Sequence, residues 1–159
     1  MSTQTADTSV RSSIVVDAPI ERAFSVFTDE ISTWWPPTHH ILPAELAGMV
    51  FEPREGGYVY DRGIDGSECR WARVLVYEPP TRLVISWDIN LQWQLEPDPR
   101  RTSEVEVRFI AEEPSQTRVQ LEHRNLDRHG EGWEQMRDAV GSPDGWGIGL
   151  RRFADVLRS

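Results

Sequence analysis

Lysine is absent from this chain of 159 residues: all 17 cationic side chains are arginine, against 26 Asp and Glu, for a formal net charge of -9. A surface of that sign repels phosphate backbones and anionic headgroups, which excludes nucleic acid and stable membrane association from the expected partners. Cysteine is nearly absent too. The lone Cys69 cannot form an internal disulfide, in keeping with a reducing compartment. No apolar run approaches a membrane span, and Met1 to Ser9 carries neither the basic nor the apolar region of a leader peptide. A cytoplasmic protein is expected, and the all-arginine usage reads as codon bias in a GC-rich, bacterial genome. Nucleophilic and cofactor motifs are missing as well. There is no Gly-x-Ser-x-Gly elbow and no Cys–His signature, and Gly145-Trp146-Gly147-Ile148-Gly149 lacks the strand and the lysine of a phosphate loop. No cofactor is expected. His39, His40 and Glu45 have no further ligand at a recognised metal spacing, so they read as surface or lid residues rather than a metal site.

What is present describes one globular domain. An apolar fraction of 38% and a charged fraction of 27% suit a chain long enough to bury a core without covalent staples. Residues 1–9 read as a disordered polar tail and residues 10–159 as the domain. Val10, Ser12, Ile14 and Val16 alternate as in a half-buried strand. Asp17 or Ala18 is placed to cap a following helix, with Pro19 in its first turn and Ile20, Ala23, Phe24 and Phe27 on one face. A second short helix, Glu30 to Trp35, stops at Pro36-Pro37. Six strands are expected near Ala47–Pro53, Gly57–Arg62, Ser67–Tyr77, Arg82–Ile89, Ser103–Ala111 and Thr117–Arg124, with an exposed loop from Gln92 to Arg101. Turns at Glu55-Gly56-Gly57, Asp65-Gly66, Glu78-Pro79-Pro80 and Glu113-Pro114-Ser115 are too short for parallel crossovers, so the strands pair antiparallel. Trp133, Met136 and Val140 share one helical face. After Ser142-Pro143, Trp146, Leu150, Phe153 and Leu157 form the stripe of a final amphipathic helix.

The sum is an α+β domain: a seven-stranded curved antiparallel sheet wrapped around a long C-terminal helix, with two short helices after the first strand. A strongly twisted sheet closed by one helix leaves space beside that helix. Seven Trp is a heavy load for a two-layer core, and most fall on inward positions or adjoining loops. An internal pocket lined by indoles is the expected consequence. The glycines at 145, 147 and 149 are expected to let the final helix approach the sheet closely.

Several segments resemble one known family in the family's own order. They are Ile31 to His40 with Trp34, Trp35, Pro36 and Pro37; Phe51 to Gly57; Trp71 to Leu83; Trp87; Glu104 to Phe109; Thr117 to His123; and Gly145-Trp146. Together they resemble the Hsp90-ATPase-activator-homologue (AHSA1-like) branch of the START/Bet v 1-like superfamily over nearly the whole chain after residue 10. The resemblance implies the helix-grip fold. Its members include lipid carriers, hormone receptors, polyketide cyclases and stress proteins, so it implies no single activity. It matches the C-terminal module of the co-chaperones of that group, and stimulation of Hsp90 is not expected.

Seven residues are candidates for ligand contact: Trp35, Trp71, Trp87, Phe109 and Trp146 as walls, with His123 and Arg73 as polar anchors. His123 falls on the inward face of the last strand by alternation with Glu122 and Arg124. It is read either as a structural histidine bonded to a backbone carbonyl or as an acid–base group. Arg73 shares a face with Cys69, Trp71, Leu75 and Tyr77, but Ala72, Val74 and Val76 on the other face are equally apolar. Its orientation stays open between a carboxylate fork in the pocket and an outward salt bridge. Glu104, Glu106 and Arg108 alternate with Val105, Val107 and Phe109 and are expected in solvent. Carriage of a small apolar or aromatic ligand is the leading expectation. A cyclase- or dehydratase-like enzyme using His123 and a protein-interaction regulator are the rivals, and the chain is expected to be a monomer or a homodimer.

Overall fold

The computed structural model describes residues 8–158. The expected tail at residues 1–9 therefore lies mostly outside the described residues, although the Thr8 carbonyl accepts from the Leu126 N–H at 3.0 Å. The strands are β1 (Val10–Val16), β2 (Leu46–Phe51), β3 (Tyr58–Gly63), β4 (Glu68–Glu78), β5 (Arg82–Trp87), β6 (Ser103–Glu113) and β7 (Gln116–Arg124). They form one antiparallel sheet in the order β1-β7-β6-β5-β4-β3-β2. Helices α1 (Ile20–Thr28) and α2 (Ile31–Trp34) follow β1, and α3 (Trp133–Val140) and α4 (Ile148–Arg158) close the chain. The sheet curls as a half-barrel around the C-terminal helix, which is the helix-grip arrangement.

Local chemistry accounts for most of these limits. Gly56 and Gly66 hold φ of +82° and +85° in the turns flanking β3, a region that side chains resist. At the start of α1 the expectation is corrected. Neither Asp17 nor Ala18 caps the helix; Pro19 is itself the flanking residue, with extended ψ of 156°, and its carbonyl takes the Ala23 N–H at 2.9 Å. Strand β5 ends at Trp87, and Ile89 continues only as an isolated bridge to Leu95 in the loop that follows.

Strand β4 defeats simple alternation for a definite reason. Its pairing with β3 skips Trp71, and its pairing with β5 skips Leu75, so the chain bulges twice and changes face at each bulge. Trp71 and the adjacent Ala72 are consequently both buried. Arg73 turns onto the convex face, where its fork donates to both carboxylate oxygens of Asp88 at 3.0 and 3.1 Å.

The concave face is an aromatic core. Phe27 packs on Trp34, Phe109 and Phe153 with ring centroids 4.8–5.6 Å apart, and Phe24 packs on Phe109 at 5.1 Å. The stripe Trp146, Leu150, Phe153 and Leu157 is buried throughout. Gly145 sits in the kinked turn from Pro143 to Gly147, where a Cβ would meet the Val140 carbonyl at 2.3 Å. Its close approach is to the end of α3, a helix rather than the sheet, whereas a Cβ at Gly147 or Gly149 would make only ordinary contacts, with the Ser142 carbonyl at 3.8 Å and the Trp34 ring at 3.6 Å.

The convex face carries a second correction. Glu106 is only 5% exposed, because Arg82, Arg108 and Arg124 close over it. Burial pushes its carboxyl up, but the Arg82 hydrogen bond and the three guanidinium charges outweigh that and hold it below the ordinary range.

Candidate functional site

Beside α4 the curled sheet leaves a pocket of about 400 Å³. Its walls come from four elements that the fold brings to one place. Trp35 follows α2, Trp71 is the bulged residue of β4, Trp87 ends β5, and Trp146 sits in the kinked turn before α4. These four indoles form a closed circuit. Neighbouring ring centroids are 5.2 Å apart for Trp35–Trp71, 5.4 Å for Trp71–Trp87, 5.8 Å for Trp87–Trp146 and 5.6 Å for Trp146–Trp35. Tilted and edge-to-face contacts at these distances hold the rings against one another, so the walls are preformed. Trp93 adds a fifth indole at the rim; it is 47% exposed and held at φ +60° in the tight turn after Asn90.

Polar groups in this apolar setting are few. Asp61 lines the pocket from β3, is 1% exposed, and accepts the Trp71 indole N–H at 3.2 Å. Burial is the main reason its carboxyl titrates at about 6 instead of 3.8; the Trp71 hydrogen bond and the nearby His40 pull the other way. Two nitrogens of pocket-lining residues, Trp87 Nε1 and His40 Nδ1, are buried with no hydrogen-bond partner among the described residues.

Of the seven candidates read from the sequence, Trp35, Trp71, Trp87 and Trp146 line the pocket. The other three do not. Phe109 faces inward as expected, but α1 covers that part of the sheet and makes it core. Arg73 is on the other face, paired with Asp88.

His123 is fully buried behind the Trp87 and Trp146 walls, its ring 5.0 Å from the former. Its Nδ1 accepts the Trp146 indole N–H at 3.2 Å, and its Nε2 lies 2.8 Å from Ser103 Oγ. An indole nitrogen only donates, so His123 is the neutral tautomer with its proton on Nε2, given to Ser103. Burial, aided by nearby His129, pushes its pKa down to about 3. Both nitrogens of His123 are engaged within the core, and its partners are side chains instead of the backbone carbonyl expected. The residues that sequence reasoning missed are Asp61, His40 as a wall and Trp93. Asp61 did leave a trace: it alternates with inward Val59 on β3, which puts a carboxyl on the apolar side.

A curled sheet gripping a helix, with a tryptophan-lined hollow beside it, defines a helix-grip pocket protein. The chain belongs to the family described as activator of Hsp90 ATPase homolog 1-like protein, whose model matches residues 17–158. Among solved structures it is 44% identical to Txn09, an anthrahydroquino-γ-pyrone synthase solved in complex with SUM, covering 94% of this chain and 96% of that one with a TM-score of 0.67. It is 30% identical to CalC, a self-sacrificing resistance protein from Micromonospora echinospora, over 95% of this chain and 94% of that one, with a TM-score of 0.67. Protein NE0264 from Nitrosomonas europaea shares the fold at 14% identity, with a TM-score of 0.68 over 99% and 98% of the two chains. No curated protein matches. No helix among the described residues is long and apolar enough to cross a membrane.

Proposed function

We propose that this protein binds a planar, polycyclic aromatic molecule of polyketide type in the tryptophan-lined pocket and closes an oxygen-containing ring on it. The observation that carries this reading is the four-indole circuit around a hollow of about 400 Å³, within the size range of small-molecule sites. Flat indole faces and edges suit flat aromatic guests, and burial of the guest's apolar area contributes roughly 25 cal/mol per Å². The ring closure is suggested by the 44% identity to a γ-pyrone synthase. A γ-pyrone fused to an arene forms when a phenolic oxygen adds to the far carbonyl of an aryl 1,3-dione and one water leaves. That step needs proton transfers only, with no oxidant or metal, and a pocket that holds the side chain folded toward the phenol.

The test is to incubate the protein with a hydroxyanthraquinone carrying a 1,3-dione chain beside its phenol and to follow loss of one water by mass spectrometry. Accelerated closure is the expected result; closure at the uncatalysed rate overturns the enzymatic part. A second reading, sequestration of the same class of guest without chemistry, is favoured by the withdrawal of His123 from the pocket. Binding of the same compound without turnover would select it.

A further inference from the structure

Hydrogen-bond accounting of the pocket goes further than its shape. Among the described residues three side-chain nitrogens are buried without a partner, and two of them, Trp87 Nε1 and His40 Nδ1, belong to pocket-lining residues. An orphaned buried donor is destabilising, and folded proteins keep few of them unless water or a ligand completes them. Trp146, next in the circuit, has its N–H taken by His123, and Trp71 gives its own to Asp61. Trp87 is thus the one member of the buried walls whose N–H is uncommitted. The Asp61 carboxyl touches Trp71 Nε1 at 3.2 Å, and the Trp71 and Trp87 centroids are 5.4 Å apart. A carboxyl and an unpartnered N–H donor therefore belong to residues of one pocket wall, both bordering the Trp71 ring.

We propose that Asp61 and Trp87 are the polar anchors of the pocket: Asp61 takes the hydrogen bond, and in reaction the proton, of a phenolic hydroxyl, and the Trp87 N–H donates to a ketone oxygen of the same ligand. This rests on the planar-aromatic reading above and names its substrate class as a phenolic quinone or aryl ketone. In ring closure the phenol's proton passes to the Asp61 carboxylate as the oxygen bonds to the carbonyl carbon. Asp61 returns that proton to the oxygen left on that carbon. It then takes the proton of the intervening carbon and hands it to the departing hydroxyl, which leaves as water. Asp61 ends as it began, which is what a general acid–base does. A carboxyl held at about 6 is present in both forms near neutrality and suits that duty. The groups that face it are few: Cys69 opposite it on β4, His40 in the segment after Pro36-Pro37, and Met49, which does not titrate, opposite it on β2. Burial first, and then the Asp61 charge, pushes the Cys69 thiol up to about 11, so it does not compete for protons at neutral pH.

Three tricyclic probes separate the anchors: anthracene, anthraquinone and 2-hydroxyanthraquinone, with dissociation constants measured at pH 7 and pH 5 on the full chain. The ketones should tighten binding several-fold over anthracene, a gain lost in Trp87→Phe. The hydroxyl should add about 10- to 100-fold at pH 7, as expected of a hydrogen bond to a charged group, and that gain should collapse in Asp61→Asn. In the unmodified protein the same gain should shrink at pH 5, which tests Asp61 without any substitution. A hydroxyl preference that survives both Asp61→Asn and pH 5 overturns the role given to Asp61. Equal affinity for all three probes overturns the anchors while leaving the aromatic pocket standing. Failure of every probe to bind removes both.

Discussion

Two polar clusters adjoin the same wall of indoles, and they differ in how completely they are satisfied. Behind Trp146, the chain Trp146–His123–Ser103–His129 passes one hydrogen bond to the next, at 3.2, 2.8 and 2.8 Å, and ends on a single orphan, His129 Nδ1. In front, Asp61 is held by the Trp71 indole N–H, while Trp87 Nε1 and His40 Nδ1 have no partner among the described residues. The rear cluster is satisfied by the fold itself up to that orphan and holds the Trp146 ring. The front cluster keeps unpartnered nitrogens on residues that line the hollow. The proposed anchors belong to the second, and the most eye-catching histidine of the sequence belongs with the first.

The contrast can be broken most forcefully at His123. His123→Ala strands the Trp146 N–H and leaves a void in the core, so we expect a loss of about 3–4 kcal/mol in urea unfolding. A stability within about 1 kcal/mol of the unmodified protein would mean the rear cluster is not structural. Its pH dependence has a definite sign. The fold depresses this pKa from 6.5 to about 3, so its contribution is whole above pH 6.5 and is lost as pH falls toward 3.

Asp61 runs the opposite way. Its pKa is raised from 3.8 to about 6, so its contribution is whole below pH 3.8 and is lost as pH rises through 6. Asp61→Asn should therefore be more stable than the unmodified protein by about 2–3 kcal/mol at pH 8, and indistinguishable from it at about pH 3.5. Thermal melts at the two pH values measure this, and a variant that is less stable at pH 8 would show the carboxylate to be structural. Keeping a destabilising carboxylate at the pocket is what a functional role would require.

The smallest effect sharpens the boundary between the regions. Arg73→Ala removes the fork from Asp88, which is 8% exposed, and should lower stability by about 1–2 kcal/mol. Because Arg73 lies on the convex face, the affinity for 2-hydroxyanthraquinone should stay within twofold. A larger change in binding would place the convex face in the site.

These comparisons also mark where the sequence was readable. In β6 and β7 alternation placed Val105, Val107, Val119, Leu121 and His123 inward, and all are buried. In β4 it could not, because two bulges change the face and nothing local announces them. Alternation names a face but not what covers it, which is why Phe109 is core under α1 while Trp87 borders a hollow. Glu106 looked solvated because its three arginines come from three strands. The tryptophan load pointed to a pocket, and five of the indoles line one. His123 was correctly placed inward, but its partners lie 20 and 23 residues away, beyond any local pattern. Asp61 was passed over because a carboxylate in a strand reads as solvent-facing unless its alternation with Val59 is weighed.

The indole circuit has an optical consequence. Rings held 5.2–5.8 Å apart exchange excitation faster than they emit, so Trp34, Trp35, Trp71, Trp87 and Trp146 should behave as one antenna. A quinone seated against any one of them should darken these five of the chain's seven tryptophans at once. The protein thus carries a built-in reporter of occupancy, and light emission alone tells a filled hollow from an empty one.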